Sequence, residues 1–308
     1  MLKSFVSGRH SEATRILRDS IRHLQVLPPP GPDDAALPRI SIVTPSFNQA
    51  HFLERTLISI LNQGYPYLEL IVIDGGSNDG SVDIIRKYEQ FLSYWISEPD
   101  RGQSDALNKG FRRATGSYVG WQNSDDLYYP GALLKLAAAA ARTQAPIVSG
   151  NLYIADQHNT IYREIRYTPM TRSSLRVIKA SIPNQSALFR RDLLDRYGLV
   201  DENKRYCMDL ELWSRLLRAG SNVVVPDAYG IFTQHEESKT ATLDVIHRAE
   251  RRQIIDVIDE DEGRLRGADL AILAGKLIAH ARQGDTRYIA EKLLTKLARV
   301  DDWKRELK

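Results

Sequence analysis

Between residues 39 and 130 the hydrophobic positions switch repeatedly between short unbroken runs and helical spacing. Ile40 to Thr44 is an apolar run ended by Pro45, and Leu68 to Ile73 is a second, ended by Asp74-Gly75-Gly76. Tyr94 to Ser97 and Tyr118 to Trp121 are shorter runs of the same kind. Such runs, closed by Pro, Gly or Asp, predict buried strands. The segments between them predict helices over about 52–62, 81–90 and 104–114. Asp83 sits in the first turn of the second helix, where negative charge suits a helix N-terminus. Pro130 predicts the start of a further helix. Strands alternating with helices at this spacing imply an α/β fold, with a mainly parallel sheet covered on both faces.

The second half is more mixed. Ile147 to Ile154, Thr160 to Arg166 and Ser186 to Phe189 read as strands, and Asp209 to Ala219 as a helix. Val223 to Val225 and Tyr229 to Thr233 read as separate extended pieces. From about Leu243 the pattern turns helical. Leu270, Leu273, Leu277 and Ile278 form one apolar stripe, and Ile289, Leu293, Leu297 and Val300 another. At the other end, residues 1–27 predict a basic amphipathic helix with Ile16, Leu17, Ile21 and Leu24 on one face. Pro28-Pro29-Pro30-Gly31-Pro32 then makes a stiff linker. The expected division is 1–38 (helix and linker), 39–240 (an α/β unit with halves at about 39–130 and 131–240) and 241–308 (helical appendage). An amphipathic helix gains most of its stability from packing. The terminal helices therefore need a partner surface: the core, a second copy in a homodimer, or an anionic membrane surface.

Composition narrows the function. The chain has 308 residues, 43% hydrophobic, enough for one large core and an appendage. Its 42 basic and 39 acidic residues leave a net charge of +3, too balanced for a nucleic-acid binder. The one cysteine, Cys207, cannot form an internal disulfide, which suits a reducing compartment. No segment approaches the roughly 20 apolar residues of a membrane span. The longest candidate, Leu133 to Ala141, is interrupted by Lys135. No signal-peptide core precedes it. The expected location is the cytoplasm, with contact at the inner face of the membrane left open.

The chemistry collects at strand ends. Asp74 ends the second strand, Asp100 follows the third, and Asp125 and Asp126 follow the fourth. In an open parallel sheet, ligands bind outside the carboxyl ends of the strands. Carboxylates gathered there repel one another unless a cation or ligand hydroxyls separate them. A hard cation such as Mg²⁺ or Mn²⁺ takes carboxylate oxygens from protein and phosphate oxygens from its ligand. Taken alone, the 74–80 stretch is equally a capped polar turn, and Asp125-Asp126 equally helix N-terminal charge. Gly75, Gly76 and Gly80 do not fit a dinucleotide fingerprint, and no Walker lysine loop is present.

The ordered set of motifs resembles a known family. Thr44-Pro45-Ser46-Phe47-Asn48, then Ile71 to Ser81, resemble the opening of family 2 glycosyltransferases. Glu98 to Gly110 resembles a block of the bacterial polysaccharide-biosynthesis members. Gly116 to Asp126 resembles the strand leading to the family's metal motif. The resemblance spans about residues 39–240 and implies the GT-A fold, an Mg²⁺ or Mn²⁺ ion, and a nucleoside-diphosphate sugar, UDP being the commonest carrier. It implies nucleotide and donor contacts from Thr44, Pro45, Phe47, Asn48, Asp74, Asp100, Gly102, Asn108, Asn123, Ser124 and Asp126. Asp125 matches the metal carboxylate, and His235 a late histidine near the metal or diphosphate. The usual Asp-x-Asp is here Asn123-Ser124-Asp125. Asp209, in Met208 to Trp213, matches the general base. Asn184, Gln185 and Glu211 match the acceptor and donor-sugar region, Glu211 being the alternative base.

The implied reaction is a single displacement that inverts the sugar carbon, moving the sugar to a hydroxyl of a saccharide or lipid-linked acceptor in cell-surface glycan synthesis. Two rivals are a sugar nucleotidyltransferase and a non-catalytic sugar-binding or scaffolding subunit. The first expects a Gly-rich basic loop after strand one, which is absent. Asp74, Asp125 and Asp209 together argue against the second.

Overall fold

The computed structural model describes residues 8–25, 37–177, 181–235, 245–263, 274–275 and 278. Four strands form the parallel half of one sheet: β1 (Ile40–Ser46), β2 (Leu68–Asp74), β3 (Tyr94–Ser97) and β4 (Tyr118–Trp121), in the order β3-β2-β1-β4. Both faces of these strands are buried. Ile40, Ile42, Leu70 and Val72 point into one apolar cluster, while Val43, Ile71 and Ile73 point into another. That period of two inside an unbroken apolar run is what burial on both faces requires. β1 runs through Pro45, which lies beyond the last β1–β4 pair, Val43 with Trp121. The missing N–H therefore leaves that pairing intact.

The sheet continues as β8 (Ala187–Arg190), β6 (Ile147–Asp156), β9 (Val223–Gln234) and β5 (Leu127–Tyr128), with β7 (Ile161–Ile165) paired to β6. β8 is antiparallel to both neighbours, β6 and β9 are parallel, and β5 and β7 are antiparallel to theirs. The parallel order expected from the sequence thus holds in the first half, and the second half is mixed. The two extended pieces expected at 223–225 and 229–233 are one strand, with a register shift opposite Ser149 and Asn151.

Helices α2 (Ala50–Leu61), α3 (Ser81–Tyr88) and α5 (Ala132–Thr143) cover one face. α4 (Gln103–Arg113), α6 (Ser174–Val177), α7 (Asp192–Tyr197), α8 (Met208–Leu216) and α9 (Val245–Glu262) cover the other. α5 starts two residues after Pro130, with Gly131 at its N-cap at φ 76°. α4 lies close on β1 because residue 110 is glycine: a Cβ there would stand 2.3 Å from Val43 Cγ1. α8 is set against the sheet by Trp213, whose ring stacks on Trp121 at 5.7 Å and whose Nε1 donates to the Ile182 carbonyl at 3.0 Å.

The N-terminal helix α1 (Gly8–Ser20) ends before the expected residue 27, and its apolar face packs on this same core. Ala13, Leu17 and Ile21 are buried there, the two larger side chains contributing about 1.5–3 kcal/mol each. The Thr14 hydroxyl accepts the Ile161 N–H at 3.0 Å, and Arg18 donates to the His158 carbonyl and Thr160. Asn62, at the end of α2, donates to the Ser20 and His23 carbonyls. The face suggested for lipid contact is therefore covered by protein. α9 packs instead in the opposite cluster through Ile254 and Ile258. Of the two apolar stripes expected beyond it, all but Ile278 lie outside the described residues. No described helix is long and apolar enough to cross a membrane.

Gly110→Ala should destabilise the fold by about 1–3 kcal/mol, because the added methyl overpacks against Val43. Urea unfolding measures it, and an unchanged midpoint would show that α4 has room to move.

Candidate active site

Two loops at the carboxyl ends of β1 and β2 are laced together. The Asn48 N–H donates to Ser77 Oγ at 2.8 Å, and its side-chain oxygen accepts from the Asn78 N–H at 3.0 Å. Asp79 accepts the Ala50 N–H at 2.8 Å. Asn48 holds φ 51°, a conformation that asparagine tolerates better than most residues. Asp74 is fully buried beneath them. Its carboxylate accepts the Gly76 and Ser77 N–H groups at 3.1 and 2.9 Å, and the Ser77 and Ser97 hydroxyls at 2.6 Å each. Gly75 lets the β3 loop close over this turn, since a Cβ there would meet Asp100 Oδ2 at 2.7 Å.

The result is a cavity of about 720 Å³ above the strand ends. At one end stand Phe47, 59% exposed, and Asp100, with Gly75, Gly76 and Pro99 between. Burial pushes the Asp100 carboxyl above its ordinary range, offset by the Gly102 N–H it accepts at 2.7 Å. At the other end stand Asn123, Ser124, Asp125 and Asp126 after β4, and Phe232 and His235 from the end of β9. Ser46 Oγ and Gln49 Oε1 line the middle and are buried with no hydrogen-bond partner among the described residues. Buried polar atoms left in that state are costly unless a ligand or water meets them.

The acidic end has a clear division of labour. Asp126 is buried and takes three N–H donors: Thr233 N at 3.0 Å, Gln185 Nε2 at 2.9 Å and Asn123 Nδ2 at 3.0 Å. Burial first, and the neighbouring Asp125 carboxylate second, push its pKa well up. Gln185 reaches Asp126 because residue 230 is glycine, where a Cβ would stand 2.4 Å from the Gln185 carbonyl. Asp125 is the exposed partner, and its Oδ2 lies 3.0 Å from His235 Nε2. The His235 ring packs on Phe52 at 4.6 Å, and the Arg55 guanidinium covers Phe52 at 4.6 Å. Carboxylate oxygen and imidazole nitrogen, side by side on the cavity wall, form a donor pair suited to Mn²⁺ or Mg²⁺ whose remaining positions a diphosphate fills. Among the described residues no cluster of three or more His, Cys, Asp or Glu occurs, and the described part of the site offers this pair.

Of the residues expected at the site, Pro45, Phe47, Asp100, Gly102, Asn123, Ser124, Asp125, Asp126 and His235 line the cavity. Gln185 reaches it through Asp126. Others are used elsewhere. Thr44 is buried in β1, while Asn48 and Asp74 hold the loops together and do not line the wall. Asn108 is consumed by the Val200 backbone, donating to its carbonyl at 2.9 Å and accepting its N–H at 3.0 Å. Asn184 sits half-buried in the turn before β8 and does not line the cavity. Glu211 is paired at 2.7 Å through both oxygens with Arg215, which also ties down the carbonyls of residues 197–199. It is thus unavailable as an alternative base.

Asp209 lies in the first turn of α8 and does not line this cavity. Its neighbour Met208 accepts the Ser104 hydroxyl at 3.1 Å, next to Gln103 of the cavity wall. The Asp209 carboxyl is raised, chiefly by burial. The Leu210 N–H it accepts at 2.7 Å, and the nearby His247 and Arg251, offset only part of this. Cys207 is buried, its thiol pushed up to about 12 by burial, so it is no thiolate nucleophile. Sequence reasoning missed Gln103, which donates to Asn123 Oδ1 at 2.7 Å, as well as Phe232 and the Phe52–Arg55 stack.

The family profile described as "Glycosyl transferase family 2" matches residues 41–198, which carry every lining residue of the cavity except Phe232 and His235. The chain belongs to glycosyltransferase family 2. Among its relatives are an uncharacterised glycosyltransferase of Rickettsia typhi, 28% identical over 60% of this chain and 60% of its own length, and one of Mycobacterium tuberculosis, 31% identical over 59% and 69%. The chain thus spans less than two thirds of the Rickettsia relative. The fold is that of TarS from S. aureus in complex with UDP-GlcNAc (TM-score 0.61, 21% identity, covering 79% of this chain and 72% of that one). It is likewise that of the mannosyltransferase PcManGT from Pyrobaculum calidifontis in complex with GDP-Man and Mn²⁺ (TM-score 0.55, 21% identity, covering 89% and 84%). This family 2 chain therefore has the GT-A architecture expected from its motifs.

The raised Asp209 carboxyl has a thermodynamic signature. A folded-state pKa above the unfolded value of about 3.9 makes stability highest below that value, and stability falls as pH rises through the folded pKa. Asp209→Asn removes the charged form. The variant should gain in melting temperature over wild type at pH 7 and not at pH 4, and an equal difference at both pH values would refute the assignment.

Proposed function

We propose that this protein is a metal-dependent inverting glycosyltransferase, moving a sugar from a nucleoside-diphosphate donor, UDP in the first instance, to a hydroxyl of a saccharide or lipid-linked acceptor. The observation that carries this reading is the polarity of the cavity. A flat aromatic and a carboxylate (Phe47 and Asp100) stand at one end, and an acid–imidazole pair (Asp125 and His235) at the other. Phe47 offers a stacking surface for a base, and Asp100 an acceptor for a ring N–H such as those of uracil and guanine. Ser46 and Gln49 then lie along the path of ribose and phosphate.

The reaction follows from this placement. Asp209 takes the proton of the acceptor hydroxyl as its oxygen attacks the sugar C1 and the bond to the departing phosphate oxygen breaks. A carboxyl raised by burial suits that task at neutral pH better than an ordinary aspartate. A cation between Asp125 and His235 would supply Lewis-acid neutralisation of the leaving diphosphate. Asp126, with its three donors, holds the Asp125 turn in place. Attack and departure on opposite faces of C1 invert the centre. A retaining route through a covalent intermediate needs a second carboxylate as nucleophile, and Glu211 is engaged by Arg215. The two similar structures contain UDP-GlcNAc in one case and GDP-Man with Mn²⁺ in the other, which supports a nucleotide-sugar donor and a divalent ion here. The reading places the protein in the cytoplasm, in synthesis of a cell-surface glycan.

A thermal-shift panel of UDP, GDP and dTDP, each with and without Mn²⁺, tests the donor reading. One nucleotide should raise the melting temperature, and more so with metal. No shift from any of the three would overturn it. Asp125→Ala should abolish the metal increment and metal-dependent turnover. Asp209→Asn should cut turnover by about 10²–10⁴-fold with nucleotide binding unchanged. Full activity of Asp125→Ala, or of wild type in excess EDTA, would remove the metal from the reaction.

A further inference from the structure

The segment before α8 is held by a helix that lies outside the family-matched residues. Three successive backbone N–H groups, those of Arg205, Tyr206 and Cys207, donate to one carboxylate, Glu250 of α9, at 2.8, 2.9 and 2.8 Å. The carboxylate is buried, and those three bonds hold its pKa down against the desolvation that raises it. Successive N–H groups converging on one anion make a strong, directional site. Its location matters more than its strength. Cys207 is the N-cap of α8 and its carbonyl accepts the first helical bond, from the Glu211 N–H at 2.9 Å. Asp209 is two residues further on. Ile254 and Ile258 anchor α9 in the core, and Arg251 of the same helix donates to the Leu175 carbonyl at 3.0 Å, so Glu250 is held on a rigid support.

We propose that α9 is the positioning element of the catalytic base: Glu250 fixes the turn at 205–207 and thereby the placement of Asp209 at the start of α8. This rests on Asp209 being the base. Among the described residues, the groups facing Asp209 include His247 and Arg251 from α9, the Cys207 thiol from its own turn, and the Tyr167 phenol from the segment after β7. The two from α9 both favour the ionised carboxylate. Loosening α9 therefore displaces the base and also withdraws the charges that keep its pKa from rising further. Donor binding lies at the ends of β1 to β4 and β9 and does not touch this turn.

The test uses the full chain, reading UDP release from UDP-GlcNAc with Mn²⁺ and water as acceptor, or GDP release from GDP-mannose if GDP gives the larger thermal shift. Glu250→Gln keeps size but turns an amide N–H₂ toward three donors. Its kcat should fall about 10–100-fold, the scale of a misplacement near 1 Å, with donor KM within about twofold. The acid limb of its pH–rate profile should move to higher pH. If Glu250→Gln does not fold, Glu250→Asp, which keeps the charge, should show the same split to a lesser degree. In an Asp209→Asn background Glu250→Gln should have little further effect, since both act through one group. If Asp209→Asn retains turnover, the base assignment itself fails. If Asp209→Asn is inactive while the Glu250 variants keep kcat and the pH limb and lose only stability, the base assignment stands and the positioning proposal fails.

Discussion

The fold is closed around one buried carboxylate. Asp126 joins three segments that come from different parts of the chain: its own turn after β4 through Asn123, the turn before β8 through Gln185, and β9 through the Thr233 N–H. Those segments meet where the parallel half of the sheet passes into the mixed half. Hydrogen bonds to a buried charge contribute more than neutral ones and are expensive to leave unmade. Burying the charge is unfavourable, as the upward push on its pKa records, and the three donors answer it. Thr56 adds a fourth tie, its hydroxyl lying 2.9 Å from the carbonyls of both Ser124 and Asp126. The turn is thereby rigid, and Asp125, one residue before, is held in the cavity wall beside His235.

Rigidity of the cavity wall and tethering of Asp209 have different origins. The wall is made by strand ends and glycines that allow close approach, Gly75 under Asp100 and Gly230 under Gln185. Asp209 is carried by α8, which is held in place because Trp213 stacks on Trp121 and Met208 accepts from Ser104 of α4. The two sides are coupled through α4, whose start carries Gln103 and Ser104 next to each other. Gln103 bonds Asn123 of the acidic turn, and Ser104 bonds Met208, the residue before Asp209. A shift of α4 would thus be felt both at the acidic turn and at the start of α8.

The parallel half was legible in the sequence because strands buried on both faces leave unbroken apolar runs with Gly, Pro or Asp at their ends. β9 was not, since Pro226 and Asp227 interrupt its pattern while its pairing to β6 resumes past a register shift. The cavity-lining aspartates were legible because ligands collect outside strand ends. What could not be read was which polar side chains are spent inside the protein. Asp74, Asn108 and Glu211 belong to the same motifs as the site residues, yet Asp74 is taken up by the 76–77 turn and two serine hydroxyls, Glu211 by Arg215 one helical turn on, and Asn108 by the distant Val200 backbone. Glu250 carries no local signal at all, because its three donors are more than forty residues away in sequence.

The asparagine at the first position of the acidic motif follows from the same electrostatics. Asn123 Nδ2 donates to Asp126 at 3.0 Å, and its oxygen accepts from Gln103. An aspartate there would set two carboxylates within hydrogen-bond distance with no proton between them, beside a third on Asp125. Repulsion of that kind raises the pKa of whichever group is most buried, here Asp126, and empties its role as anchor. The cation already present is Arg55, which burial pushes down and whose charge is felt by Asp125 and Asp126. Its guanidinium lies over the Phe52 ring and does not line the cavity, so it balances the carboxylates without occupying that space. With one arginine behind the wall and an amide where the motif has an acid, the exposed charge is concentrated on Asp125. Under the proposed reaction, a divalent ion held by Asp125 and His235 would draw its remaining ligands from the diphosphate, so that metal and donor would bind as a unit.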